Sequence, residues 1–175
     1  MREYIVNKFP ELQYIKDERL RSVVINIWAE CMKEGGWNDL DSIPFTLLIK
    51  DCKKSLVEHT RVVTKMALAV GKEREDINMD LLIAGALLHD VGKLLEYRAV
   101  EGRVVKSELG KRVRHPVYGA MKAMAMGYNE LAHIILAHSK EGDYVERTPE
   151  AIIVHHCDFI DFECEKAKYA REKVY

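Results

Sequence analysis

The stretch NMDLLIAGALLHDVGK, residues 78–93, decides the reading of this chain. Asn78 can cap a helix start, and Leu81, Leu82, Gly85, Leu88 and His89 recur at three- and four-residue steps, so the spacing predicts a helix from about Asn78 to His89. An imidazole and a carboxylate, His89 and Asp90, thus stand at the core end of an apolar helix. Gly92 follows, either as a C-cap or as a turn that lets Lys93 face inward.

Working outward, the same periodicity recurs with the same ending. Residues 55–72 place Leu56, His59, Val63, Met66 and Val70 at helical spacing, which turns His59 inward. His115 precedes Pro116 at the mouth of a helix that runs to Met126 and stops at Gly127. Asn129 is read as the cap of a helix whose stripe Leu131, Ile134, Ile135 ends in His138. Thr148 and Pro149 open the last long helix, where Val154, His155, Asp158 and Phe162 follow one another at helical steps. Before these, residues 17–33 form an amphipathic helix closed by Gly35 and Gly36, residues 1–9 a short helix, and residues 37–49 a connector. Residues 96–110 are expected as a small hairpin lying over the inward-facing residues.

A lone inward histidine is ordinarily a hydrogen-bonded core residue, and a lone inward Asp is often a cap or an ion-pair partner. A set is different. Burying His59, His89, His115 and His138 with Asp90 and Asp158 would be costly without a compensating cation. Mixed imidazole and carboxylate donors suit one or two divalent transition-metal ions (Fe, Mn, Zn, Ni or Co) better than Ca.

Residues 87–93, LLHDVGK, with His59 before and Asp158 after, resemble the H…HD…D signature of the HD-domain superfamily of metal-dependent phosphohydrolases, in the HDIG-like form. The resemblance implies an all-α HD-domain bundle of five or six core helices. It implies that His59, His89, Asp90 and Asp158 hold a first metal, that His115 and His138 serve a second, and that Asp90 bridges the two. Asp90 and Lys93 are then the catalytic residues, and Lys93 also contacts a substrate phosphate. His155, on the face of Asp158, is a candidate for substrate binding or ligand support; His133, His156 and Cys157 are read as surface or packing residues. The implied activity is hydrolysis of a phosphoester or phosphoanhydride of a nucleotide or dinucleotide by metal-activated hydroxide. Cyclic di-GMP is disfavoured, because Ala137-His138-Ser139-Lys140-Glu141 lacks the paired histidines and no Gly-Tyr-Pro follows. A di-iron oxygenase and a non-catalytic module that binds metal and nucleotide are the alternatives.

Composition sets the outer bounds. The 175 residues, 48% hydrophobic and 31% charged, suit one HD-type domain, with residues 1–50 as a helical extension and 51–172 as the metal-binding core. The extension could shape the pocket or form a homodimer contact. A net charge of -1 with interspersed signs gives no electrostatic case for nucleic acid. Lys106, Lys111, Arg112 and Arg114 form a local basic cluster, read either as a solvated loop or as a contact for a small anionic substrate. Cys31, Cys52, Cys157 and Cys164 show no paired spacing, which fits a cytoplasmic, reduced protein, and no stretch reads as a membrane span or signal peptide.

Overall fold

A computed structural model describes residues 1–171; the far end of the expected core, residue 172, lies outside them. The fold is all-α apart from one hairpin, as expected. Its helices are α1 (Arg2–Lys8), α2 (Glu18–Glu34), α3 (Leu56–Lys72), α4 (Met79–Leu88), a single turn α5 (Lys93–Glu96), α6 (His115–Ala125), α7 (Asn129–Ala137) and α8 (Pro149–Arg171). Strands β1 (Tyr97–Val100) and β2 (Arg103–Lys106) form the antiparallel hairpin, with Tyr97 opposite Lys106.

Helix α4 is the centre of the bundle. Every residue from Leu82 to Leu88 is buried, which marks a helix apolar on all sides and therefore surrounded. Helices α2, α3, α7 and α8 all pack against it. On the α2 side the Trp28 indole N–H donates to the Leu87 carbonyl at 3.0 Å, while its ring packs on Phe9. The Asp80 carboxylate accepts the backbone N–H groups of Lys16 and Asp17, so the N-terminal segment is tied to the start of α4 as well as packed on it.

Local signals explain most boundaries. Asp17 caps α2, Asn78 caps α4, and Ser55 with Glu58 forms a reciprocal capping box at α3. Gly127, with φ of 84°, ends the turn after α6. Asn129 corrects one expectation: it is the first residue of α7, and Tyr128 occupies the cap position without a side-chain bond. Between α2 and α3 the connector folds back so that Pro44 pairs with Ser55 and Phe45 lies buried against His59. No helix among the described residues is long and apolar enough to cross a membrane.

Candidate metal centre

Helices α3, α4, α6, α7 and α8 each deliver a chemical group to one place, and they do so from their ends or inner faces. His89 follows the last residue of α4, His138 follows α7, His115 begins α6, His59 faces inward from α3, and Asp158 faces inward from α8. The imidazole centroids form a chain, with His59 and His89 5.2 Å apart, His89 and His138 5.0 Å, and His115 and His138 5.5 Å.

Two sets of ligand atoms result. His59, His89, Asp90 and Asp158 form one, and Asp90, His115 and His138 the other, with the atoms of each set within 4.8 Å of one another. Asp90 belongs to both through different oxygens. Its Oδ2 is 3.4 Å from Nε2 of His59 and of His89, whereas its Oδ1 is 3.1 Å from Nε2 of His115 and 3.8 Å from Nε2 of His138. Asp158 Oδ1 lies 3.0 Å from His59 Nε2 and 3.9 Å from His89 Nε2.

The opposite ring nitrogens fix which atom faces the cluster. Nδ1 of His89 donates to the Ala86 carbonyl at 2.7 Å and Nδ1 of His138 to the Ile135 carbonyl at 2.6 Å. Nδ1 of His59 donates to Asp161 Oδ2 and Nδ1 of His115 to Glu96 Oε2, both at 2.6 Å. Carbonyls and carboxylates accept only, so each Nδ1 keeps its proton and each Nε2 is the ring atom turned into the cluster.

The electrostatics ask for positive charge there. Burial opposes ionisation of Asp90, yet Lys93 and the surrounding imidazoles hold its carboxyl well below the ordinary range. Burial likewise opposes charge on Asp158, but His59 and His89 bring it down to about 2. Against its own burial, His59 is carried up to about 10 by Asp158, Asp161 and Asp90, while burial and the neighbouring His89 push His138 down to about 3. Ionised carboxylates thus draw a compensating proton onto His59.

A divalent cation fits this donor set better than a proton does. Donors held at about 2.0–2.2 Å around a tetrahedral centre stand about 3.3–3.6 Å from each other, and His89 Nε2 and His59 Nε2 stand 3.2 Å apart. A proton on His59 Nε2 can bridge only one such contact at a time, whereas a cation at the centre would be met by both nitrogens together with Asp90 Oδ2 and Asp158 Oδ1. Imidazole with carboxylate is the chemistry of transition metals.

Lys93 is buried, and its Nζ donates to Asp90 Oδ2 at 2.6 Å and to the Phe45 carbonyl at 2.5 Å. Two of its three N–H groups are therefore committed. Gly92 has an ordinary helical φ of -63°; neither a special turn nor a cap requires glycine. Space does, because a Cβ there would lie 2.1 Å from the His115 carbonyl oxygen.

A cleft of about 470 Å³ reaches Asp90, His115 and Asp158. Phe45, Leu48, Phe159 and Phe162 give it an apolar wall, and Lys106, Arg114, Lys140 and Lys166 surround the rest. Of the basic cluster expected from sequence, Lys106 and Arg114 line this cleft, while Lys111 pairs with Glu108 and Arg112 is exposed. Lys166 was missed, although Phe159, Phe162 and Lys166 follow at helical steps. His155 does not line the cleft: its Nδ1 donates to the His138 carbonyl at 2.7 Å and its ring packs on Phe159. Asp161 and Glu96 were also missed; Asp161 had a signal, since it stands one helical turn after Asp158, but Glu96 had none.

A helical bundle whose centre gathers four imidazoles around a shared carboxylate is built as a metal-binding protein. The chain matches the HD domain family over residues 56–163 and belongs to that family. It is 32% identical over 125 residues to the 3'-5' exoribonuclease YhaM of Oceanobacillus iheyensis, covering 61% of this chain and 39% of that protein. It is 29% identical over 168 residues to the dihydroneopterin 2',3'-cyclic phosphate phosphodiesterase of Methanocaldococcus jannaschii, covering 85% of this chain and 65% of that protein. The chain thus spans roughly two fifths to two thirds of the length of these relatives. No solved structure matches it.

Proposed function

We propose that the chain is a metal-dependent phosphohydrolase that cleaves a phosphoester of a small, nucleotide-like molecule. One observation carries the reading: the two oxygens of Asp90 face two separate sets of imidazoles at the floor of a cleft walled by cations and aromatic rings. His59, His89, Asp90 and Asp158 would hold one divalent ion, and Asp90, His115 and His138 a second. When bound, such ions supply Lewis acidity and a hydroxide-strength nucleophile at neutral pH.

The side chains provide the rest. Lys106, Arg114 and Lys140 meet the anionic oxygens of the substrate, and Arg114 is oriented by Glu141 at 3.3 Å. Phe159 and Phe162 offer ring faces to a heterocyclic base. Lys93 keeps Asp90 ionised and positioned, and as a residue lining the cleft it has one N–H left for a substrate oxygen. Residues 1–50 support this core through the packing of α2 on α4 and serve with it as one unit. The similarity to both a cyclic-phosphate phosphodiesterase and an exoribonuclease favours cleavage of a phosphodiester. The size of the cleft favours a single nucleotide over a strand.

The test is turnover of nucleoside 2',3'-cyclic phosphates, nucleoside monophosphates, dinucleotides and single-stranded RNA by Mn-loaded protein without dioxygen, beside a chelated control. Release of phosphate or a phosphomonoester from the small substrates is expected. Preference for RNA would overturn the substrate class, and a strict need for dioxygen would overturn hydrolysis.

A further inference from the structure

Two carboxylates outside the proposed ligand set occupy matching places, one behind each group of imidazoles. Asp161 Oδ2 takes Nδ1–H of His59 at 2.6 Å, and its other oxygen, Oδ1, takes Lys54 Nζ at 2.5 Å. Glu96 Oε2 takes Nδ1–H of His115 at 2.6 Å together with the His115 backbone N–H at 2.7 Å, and its Oε1 lies 3.2 Å from Lys106 Nζ. Both carboxylates are buried. The remaining histidines, His89 and His138, are held instead by backbone carbonyls three residues upstream.

From this repeated arrangement we infer that Lys54-Asp161-His59 and Lys106-Glu96-His115 are two positioning triads, one for each metal group, in which the carboxylate fixes the Nδ1–H form and the ring plane of its imidazole. The inference rests on the metal reading of the site. A carboxylate behind a ligating imidazole raises the electron density at Nε2 and removes ring rotation, whereas a backbone carbonyl orients without adding charge. The lysine holds the far oxygen, so the carboxylate cannot swing away from the ring. In each group one imidazole is therefore strengthened by charge and one is merely oriented. Asp161 comes from α8, one turn after Asp158, so a single helix supplies both a ligand and the support of another ligand. Glu96 closes α5 and Lys106 closes β2, so the hairpin is the part that braces His115.

Calorimetric titration of the metal-free full chain with Mn²⁺ tests this, read beside ¹⁵N spectra of the histidine rings in Zn-loaded protein. Asp161→Ala should weaken the uptake phase that His59→Ala abolishes, and Glu96→Ala the phase that His115→Ala abolishes, each by roughly 10–100-fold. The Nδ1–H signal of the corresponding ring should broaden or vanish. Asp161→Asn and Glu96→Gln retain an acceptor oxygen and should fall between the wild type and the alanine variants, which keeps the test open if alanine prevents folding. Wild-type affinity in every variant, with the Nδ1–H signals unchanged, would overturn the positioning role while leaving the metal site intact. Equal weakening of both phases by either variant would also overturn it, as general loosening of the fold. A wild-type chain that takes up no Mn²⁺ or Zn²⁺ would instead defeat the metal reading, and the triads with it.

Discussion

The two ligand groups share Asp90 but are built differently. The first, with His59, His89 and Asp158, draws on the long helices α3 and α8 and on the central α4, and offers four donors. The second, with His115 and His138, uses the first residue of α6 and the residue after α7, and offers three. Its surroundings are a hairpin, the loop after α7 and Arg147, which caps that end by donating to the carbonyls of Ala137 and Ser139. Three protein donors leave positions open for substrate, whereas a fuller set closes a site. If both groups hold ions as proposed, the difference implies a division of labour: the first group, with four donors, would retain its ion, and the second, with three, would keep positions open for substrate.

The most damaging way to test that division is to remove what both groups share. Asp90→Ala should empty both and lower turnover by more than about 10³-fold, since the charge-stabilising apparatus is lost as a whole; elemental analysis with a phosphodiesterase assay decides, and full metal content would undo the bridging role. His138→Ala asks a finer question. It should leave the first group loaded, so that bound metal falls from two ions to one, while turnover drops by roughly 10²–10³-fold. If the first group empties instead, the two are not separable.

Legibility in the sequence divided the proposed ligands from the groups that support them. Every proposed ligand lies at a helix end or on an apolar stripe, so periodicity alone pointed His59, His89, His138 and Asp158 inward. Helix α4 was readable because apolar residues fill it and Asn78 caps it. What escaped depends on pairs distant in sequence: Glu96 meets His115 across 19 residues and Asp161 meets His59 across 102, and no local pattern encodes such a meeting. Lys93 was placed on the cleft from its motif, but its bonds to Asp90 and the Phe45 carbonyl depend on the fold of the 37–49 connector. Gly92 was read for its backbone freedom, whereas the cause is the closeness of His115 at the start of α6.

That closeness yields a sharper separation of the groups. Gly92→Ala would force a methyl group onto the His115 carbonyl oxygen, 2.1 Å from the ideal Cβ position, and backbone cannot yield as a flexible side chain does. A destabilisation of about 1–3 kcal/mol is expected, with the start of α6 displaced. Metal at the second group should suffer more than at the first. A chemical-denaturation curve and a two-phase metal titration measure the two effects; equal loss at both groups would show that Gly92 serves the central helix and not the α6 entry.

The smallest expected effect concerns His155, which sequence reading placed among substrate-binding residues. Its ring donates to the carbonyl of His138 and does not line the cleft. Its contribution should therefore pass through the second group. Losing one hydrogen bond of about 0.5–1.5 kcal/mol from the backbone of a ligand would loosen His138 slightly, so His155→Ala should weaken uptake at the second group by roughly two- to tenfold and lower kcat accordingly, with KM little changed. The wall formed by Phe159 complicates a simple reading, because His155 packs against that ring at 4.7 Å. Phe159→Leu provides the contrast: a side chain that meets the substrate should raise KM while metal uptake stays at the wild-type level. A His155→Ala variant that raises KM and leaves metal binding untouched would return His155 to the substrate and take away its place behind the second group.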